Sequence, residues 1–388
     1  MCIKIVRQQL VSLLLKRFSR CRIKVRKAGL PHNVGLEGYV QESMRGAQQL
    51  SKGWWGLGFL LLGALSGCGN GDSMESFGGP TMGSTYSIKY VRGKDSPSQD
   101  LLKRETETIL ADIDQQMSTY RDDSAIEQFN QAPAGSCQAM PDGVLELVAA
   151  GQVLNQQSQG AFDLTLEPLL NLWGFGPKAR AEKVPTAQLL AAARERMGMQ
   201  HLRIEAGQLC KAVDVQVDFN SIAAGYAVDR IVQRLNELGI DSYLVEVTGE
   251  LKAAGRKPDG ERWRIGLEAP QDGQRVAQRV LELDGYGIST SGDYRNYFEE
   301  NGQRYSHTLD PATGAPITHK LAAVTVADKS TLRADGLSTV LMVMGTERGL
   351  AFAEQQGIAA FFVTREGEAF VTQSTQAFEQ LFAAGEEQ

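Results

Sequence analysis

Two side chains that carry oxygen atoms, Asp335 and Thr339, lie four residues apart in the segment ADGLST, residues 334–339. The sequence predicts a helix over residues 334–344, and residues four apart project from the same face of a helix. A carboxylate beside a neutral hydroxyl suits a hard cation such as Mg²⁺, which keeps waters and phosphate oxygens as its other ligands. The alternative is a helix cap or a dipole partner, which is the commoner role of an aspartate in a first helical turn.

A second candidate is the segment 218–229, which is predicted to lead from a strand into a helix. Such a turn presents free backbone groups toward an anion or a metal ion at the end of the helix. A plain capped helix, with Asn220 or Ser221 as the N-cap, is the alternative for this segment.

The third candidate is His307, which is predicted to end a strand just before the Pro- and Gly-containing turn of residues 311–314. A histidine in such a place can serve as a general base or contact a phosphate. A surface histidine beside a tight turn is an equally good interpretation of the same residues.

Several kinds of chemistry are absent from the pattern of residues. The chain has no phosphate-binding Walker loop, no GxGxxG after a strand, no GxSxG and no HExxH. Only His201, His307 and His319 follow residue 68, which argues against a metal site rich in histidine. A net charge of -6 does not favour nucleic-acid binding.

The elements that must position these residues are a mixture of helices and strands. Amphipathic helices are predicted over residues 101–117, 144–157, 185–197 (with Thr186 as a cap), 222–238 and 334–344. Strands are predicted over residues 85–90, 213–219, 243–247, 251–255, 263–267, 277–283, 287–291, 294–298, 324–327, 361–364 and 369–372, and residues 162–177 are predicted to form an ordered loop. Without a regular βαβ period, this order predicts an α+β fold with mixed, mostly antiparallel sheets and packed helices.

The first 67 residues differ from the rest of the chain, because they contain eleven Lys or Arg residues and two acidic residues. A short apolar run at residues 56–64 and the sequence Leu-Ser-Gly-Cys ending at Cys68 resemble a bacterial lipoprotein signal, with Cys68 as the lipidated residue. We therefore expect a leader over residues 1–67, a flexible tether over 68–79 and, since no clear linker divides the rest, one domain over 80–388. Translation starting at Met44 would give a signal of conventional length, although residues 1–43 as a genuine extension, or a buried helix with a chance cysteine at 68, are alternatives.

Two cysteines, Cys137 and Cys210, remain after the leader and Cys68 are set aside. An exported compartment is oxidising, so that a disulfide between them is one outcome and two free thiols the other. No CxxC or clustered Cys/His spacing indicates zinc.

Read together, the motifs resemble one family, the ApbE-type FAD:protein FMN transferases. Eight segments occur in the order expected of that family: 82–86, 117–121, 160–163, 171–177, 218–229, 289–294, 307–311 and 334–339. The resemblance covers roughly residues 77–380 and implies an ApbE-like fold.

The resemblance also implies an activity and a set of site residues. Members of this family move the FMN half of FAD to a threonine hydroxyl of an acceptor flavoprotein and release AMP, with Mg²⁺ required. It implies side-chain Mg²⁺ ligands at Asp335 and Thr339, a main-chain ligand at Ser221, and His307 as the base that activates the acceptor. It implies FAD contacts at the following positions: Met82, Tyr120, Ala161, Phe162, Asp163, Asp218 and His307.

The implied partners are acceptor flavoprotein subunits of membrane redox complexes, reached from the periplasmic face of a bacterial membrane through the lipid on Cys68. The inner membrane is favoured over the outer. One departure is Ala224, where many family members carry Lys or Glu, so that a polar contact to FAD is missing. Two alternative functions use the same residues: an FAD pyrophosphatase that releases FMN and AMP, and a flavin-binding lipoprotein without turnover.

Overall fold

The computed structural model describes residues 71–178, 184–268, 277–293, 296–367 and 369–383. The predicted leader, the start at Met44 and the lipidation of Cys68 lie outside these residues. Among the described residues, no helix is both long and apolar enough to cross a membrane.

The largest sheet has eight strands, and every neighbouring pair in it is antiparallel. In spatial order the strands are β1 (Ser73–Thr81), β2 (Ser84–Arg92), β6 (Tyr243–Val247), β7 (Glu250–Ala254), β10 (Tyr286–Gly292), β15 (Leu321–Asp328), β16 (Ala359–Glu366) and β17 (Ala369–Ser374). The mixture of this sheet with packed helices confirms the predicted α+β class.

Smaller sheets complete the strand set of the described residues. One has three strands, β3 (Cys137–Ala139), β5 (Gln208–Lys211) and β4 (Leu202–Glu205), and the others are hairpins: β8 (Trp263–Glu268) with β9 (Ala277–Leu283), β11 (Tyr297–Glu300) with β12 (Gln303–Ser306), and β13 (Leu309–Asp310) with β14 (Ala315–Pro316). A disulfide joins Cys137 on β3 to Cys210 on β5, where the two residues are cross-strand partners.

The helices lie mostly on one face of the large sheet. They are α1 (Gln99–Met117), α2 (Ala125–Gln131), α3 (Asp142–Gln157), α4 (Glu167–Leu172), α5 (Ala187–Arg194), α6 (Ala223–Glu237), α7 (Thr331–Gln356) and α8 (Gln376–Phe382). Alternate residues of a strand point to opposite faces, and on β16 Phe362 joins the helix-covered core while Phe361 joins the core beneath α8 and the β8–β9 hairpin. Both faces of the large sheet are therefore mainly apolar, and the polar residues on its strands are exceptions to this pattern.

Three expectations about local structure are corrected. Residues 213–219 form no strand, because the Asn130 side chain, rather than a neighbouring strand, bonds both backbone groups of Val217. The predicted loop 162–177 contains the helix α4. The predicted tether 68–79 includes most of β1, where Phe77 packs edge-on against Tyr86 and Tyr90.

Candidate active site

A cavity of about 770 Å³ is lined by residues of the large sheet, the β8 strand, α7 and the turn before α6. Eight of the residues expected in the site line it: Ala161, Phe162, Asp163, Asp218, Ser221, His307, Asp335 and Thr339. They come from four separate parts of the chain, and the packing of α6 and α7 against the sheet brings them together.

The centre of the site is Asp335, in the second turn of α7. Its Oδ2 atom accepts a hydrogen bond of 2.9 Å from the backbone N–H of Gly225 on α6, and the Ser289 hydroxyl lies 3.3 Å from its Oδ1 atom. The two helices touch closely here because Gly225 has no side chain: a Cβ atom would lie 2.5 Å from the carbonyl oxygen of Thr331 and 2.8 Å from the Cβ of Asp335.

The contact between Gly225 and Asp335 also changes the start of α6. In a regular helix an N–H bonds the carbonyl four residues earlier, which for Gly225 is the carbonyl of Ser221. Here that N–H donates to Asp335 instead, so the main-chain oxygen of Ser221 is not used by the helix. The helix begins after Ile222 with no side-chain cap, so the alternative of Asn220 or Ser221 as N-cap is wrong.

A second carboxylate fixes the direction of α7. Asp229 of α6 accepts hydrogen bonds from the first two backbone N–H groups of α7, those of Thr331 (3.0 Å) and Leu332 (3.1 Å), and from the Ser330 hydroxyl. A carboxylate at a helix N-terminus satisfies free N–H groups and opposes the positive end of the helix dipole. Asp229 therefore has the capping role that was the alternative for Asp335.

The oxygen atoms around Asp335 suit a hard cation. Burial and the nearby negative charge of Glu250 raise the pKa of Asp335 well above its usual value. Within the part of the chain that the structure describes, neither Asp335 nor Glu250 has a salt-bridge partner, and no group of three or more His, Cys, Asp or Glu side chains is arranged to hold a metal. A cation here would be held by carboxylate, hydroxyl and main-chain oxygens, which are ligands of Mg²⁺.

His307 lies across the cavity at the end of β12. Its ring Nδ1 is 2.9 Å from the carbonyl oxygen of Asn296, and its backbone N–H donates to the same oxygen at 3.1 Å. Because a carbonyl only accepts, Nδ1 carries the hydrogen and Nε2 keeps a free lone pair. Burial lowers the pKa of His307, so the ring is neutral near neutral pH and able to accept a proton at Nε2.

The two remaining aspartates line the cavity on short turns. Asp218 accepts from the backbone N–H (2.6 Å) and the side-chain amide (2.9 Å) of Asn220, and burial raises its pKa. Asp163 accepts from the N–H and hydroxyl of Thr165 at 2.7 and 2.6 Å, and burial raises its pKa as well. These bonds hold the two carboxyl groups in fixed orientations at the cavity wall.

Two expected FAD contacts do not line the cavity. Met82 lies in the turn between β1 and β2 with a φ of 45°, packed against the core, although Ser84 and Thr85 just after it do line the cavity. Tyr120 is 68% exposed, and partial burial together with the charge of Asp218 raises its pKa. Neither residue therefore forms part of the cavity wall.

Sequence reasoning missed Glu250 and gave no role to Ser289. The Glu250 carboxylate accepts from the Thr248 hydroxyl at 3.0 Å, and its Oε1 atom lies 3.4 Å from the Ser289 hydroxyl. A signal was available, because residues 248–250 separate the predicted strands 243–247 and 251–255, and a two-residue turn at Thr248 and Gly249 would have placed Glu250 at the start of the second strand.

Comparison with known proteins gives one consistent result. The model of the ApbE family matches residues 82–362. The FAD:protein FMN transferase of Vibrio cholerae is 42% identical over 84% of this chain and 98% of its own length, and that of Haemophilus influenzae is 38% identical over 82% and 94%. Among solved structures, the flavinyl transferase ApbE of Pseudomonas stutzeri is 66% identical with a TM-score of 0.77, over 81% of this chain and 98% of that one. The flavin transferase ApbE of Vibrio cholerae is 41% identical with a TM-score of 0.75, over 80% and 99%.

Proposed function

This chain belongs to the ApbE family, and from that membership we propose that it is an FAD:protein FMN transferase that modifies a threonine of an acceptor protein. The observation that carries the proposal is the pairing of two features in one cavity: a neutral histidine with a free Nε2 lone pair, and a cluster of oxygen ligands around Asp335. Relatives that bear this name at 37–42% identity match nearly their whole length, which supports the same activity here.

The reaction exchanges one phosphorus–oxygen bond for another. The threonine oxygen of the acceptor bonds to the phosphorus of the FMN half, and the bond from that phosphorus to the bridging oxygen breaks so that AMP leaves with the bonding electrons. A threonine hydroxyl is a poor nucleophile, and His307 takes its proton at Nε2 as the new bond forms. The hydrogen bond from Nδ1 to the Asn296 carbonyl orients the ring and steadies the positive charge that it then acquires.

We assign the cation site to the Asp335 carboxylate, the Thr339 hydroxyl and the main-chain oxygen of Ser221. A bound Mg²⁺ would neutralise charge on the pyrophosphate and so lower the barrier to attack at phosphorus. The protein's part is to hold two of these oxygens on α7 and the third just before α6, and the close contact at Gly225 sets the spacing between them.

The cavity is large enough for a dinucleotide, because ligand pockets usually measure about 300–1,000 Å³. We propose that Asp218, Asp163 and the backbone near Ala161 contact FAD inside it, and that Met82 and Tyr120 contact the end that reaches the surface. Phe162 forms part of the cavity wall, because its side chain is buried. Its backbone N–H donates to the Ser158 hydroxyl and its carbonyl accepts from the Asn155 side chain, so neither group is free to bind FAD.

The leader supports a proposal about location. Its short apolar run and the Leu-Ser-Gly-Cys sequence favour a lipid anchor at Cys68 on the periplasmic face of a bacterial membrane. Acceptors would then be flavoprotein subunits of membrane redox complexes that present a threonine on that side. Palmitate labelling of the wild-type chain and of Cys68→Ala checks this, since the proposal requires that the variant lose the label.

The distribution of products tests the activity. With FAD and Mg²⁺, we expect AMP to be released only when an acceptor domain is present, and no free FMN to accumulate. Equal amounts of free FMN and AMP without an acceptor would identify a pyrophosphatase in place of a transferase. FAD that stays whole in the presence of several acceptors would identify a flavin-binding protein.

A further inference from the structure

We propose that Glu250, at the start of β7, is a further residue of the cation site and holds the metal together with Asp335. This inference rests on the proposed function, and it concerns a side chain that neither the sequence motifs nor the comparisons assign.

Asp335 and Glu250 share one hydroxyl as a hydrogen-bond donor. The Ser289 hydroxyl lies 3.3 Å from the Oδ1 atom of Asp335 and 3.4 Å from the Oε1 atom of Glu250. A hydroxyl has one proton, so it can donate to only one of these two oxygens. The nearby Ser338 hydroxyl is 2.8 Å from the carbonyl oxygen of Asp335 and 2.8 Å from the Ser291 hydroxyl, so its single proton is in demand elsewhere.

The negative charges of these two carboxylates are not balanced by a basic side chain in the described part of the chain. Asp335 and Glu250 approach the same hydroxyl from α7 and from β7, and no Lys or Arg side chain forms a salt bridge to either within the described residues. Two neighbouring carboxylates with one shared donor repel each other, and either a proton on one of them or a cation between them removes that cost. Their oxygens are ligands that a hard divalent cation prefers.

The turn that precedes Glu250 has a strained backbone. Thr248 has a φ of 56°, in the left-handed region that a β-branched residue rarely adopts, and Gly249 follows with a φ of 124°. Strain of this kind is found mainly where the position of a neighbouring group matters. Here the Thr248 hydroxyl donates to the Oε2 atom of Glu250 and its N–H donates to the Thr85 carbonyl, so the strained turn fixes the carboxylate at the cavity wall.

The chain supplies a matched control in Glu246. It lies on the neighbouring strand β6 and also lines the cavity, but it is exposed and has no hydrogen bond to Ser289 or Asp335. Glu250→Gln and Glu246→Gln therefore make the same chemical change at two places, one inside the proposed cation site and one beside it.

The experiment is calorimetric titration of the full chain with Mn²⁺, without FAD, on wild type and both variants, with a thermal melt of each. We expect Glu250→Gln to weaken Mn²⁺ binding about tenfold to a hundredfold, the range found when residues that support a metal site are replaced. Without metal, the Tm of Glu250→Gln should equal or exceed that of wild type, because one of two neighbouring carboxyl groups is gone. The increase in Tm on adding Mn²⁺ should be smaller for this variant than for wild type. Glu246→Gln should bind Mn²⁺ within about twofold of wild type.

Unchanged Mn²⁺ affinity in a folded Glu250→Gln variant would overturn the inference and leave Glu250 as a structural residue. Equal weakening in both glutamine variants would also overturn it, because a general effect of charge would then be responsible. Should Glu250→Gln fail to fold, Glu250→Asp keeps the charge and shortens the side chain, and unaltered affinity there would count against a ligand role. These titrations use no FAD, so their result is independent of the transferase assay. The role of Glu250 can be refuted while FMN transfer is observed, and FMN transfer can be absent while Glu250 is shown to bind the metal.

Discussion

The close contact between α6 and α7 gives a prediction that separates folding from function, because the proposed cation site lies where the two backbones cross. Gly225→Ala adds one methyl group at the crossing. Its Cβ atom would lie 2.5 Å from the Thr331 carbonyl oxygen, and ordinary contact begins at 3.4 Å, so the helices must part by about 0.9 Å. That movement shifts Asp335 away from Gly225 and changes the spacing between Asp335 and the Ser221 carbonyl.

The cost in stability is small and the cost in function is large. Overpacking of this kind costs about 1–3 kcal/mol, whereas alanine in a helix is favoured over glycine by about 1 kcal/mol. We therefore expect the free energy of unfolding to fall by no more than about 2 kcal/mol. A misplacement of about 1 Å at a reacting centre can reduce the rate about a hundredfold, and we expect a loss of that size in FMN transfer.

The assay compares chemical denaturation, Mn²⁺ titration and initial rates of transfer for Gly225→Ala and a control. Gly349→Ala serves as the control because it lies in the second half of α7, where its Cβ would meet Leu341 and Phe362 atoms at 3.2 Å, away from the cavity. We expect the control to lose some stability and keep its metal affinity and rate. Wild-type metal affinity and rate in a folded Gly225→Ala protein would refute the argument that this crossing sets the geometry of the site.

Three further predictions concern other parts of the domain. His307→Asn should lower the rate of transfer by about a hundredfold or more and leave FAD binding within about threefold, measured by flavin fluorescence, while a matching loss of binding would make His307 a contact residue. Removing the disulfide by Cys137→Ser with Cys210→Ser should lower the free energy of unfolding by roughly 4 kcal/mol for a separation of 73 residues, with the rate per folded molecule unchanged. Burial raises the pKa of Glu167 from 4.5 to about 7, so the folded state binds the carboxyl proton more tightly than the unfolded state does. The resulting contribution to the free energy of unfolding is complete below pH 4.5 and is lost as the pH rises through 7. The free energy of unfolding, measured with urea, should therefore fall by about 3 kcal/mol less across that pH range in Glu167→Gln than in wild type. The same pH dependence in both proteins would contradict the raised pKa of Glu167.

The ends of helices were predictable where the residue that starts or stops the helix lies at that end of the helix itself. The helix predicted over 334–344 stops where α7 has its kink, because Gly345 has a φ of 76° and a ψ of 178° that break the helical backbone before a second segment continues to Gln356. Thr186 caps α5 as expected, with its hydroxyl accepting the N–H of Leu189. In both cases the residue that ends or begins the helix is itself the physical cause.

The predictions of local structure were wrong where the residue that determines the conformation lies far away in the sequence. Residues 213–219 alternate like a strand, but Val217 is bonded by the side chain of Asn130, 87 residues earlier, and the N–H of Asp218 by the carbonyl of Leu164. The approach of Glu250 to Asp335 likewise depends on β7 lying beside β10 in the sheet. No periodicity within one segment reports either contact.

The measurement that tests the central claim most directly is the intact mass of an acceptor domain after incubation with this protein, FAD and Mg²⁺. The account predicts a single covalent FMN on one threonine, which disappears when that threonine is replaced by valine or when Asp335→Ala is used in place of wild type. Intact acceptor mass with wild-type protein across several threonine-bearing acceptors, while FAD is bound or cleaved, would contradict the claim that this chain is a transferase.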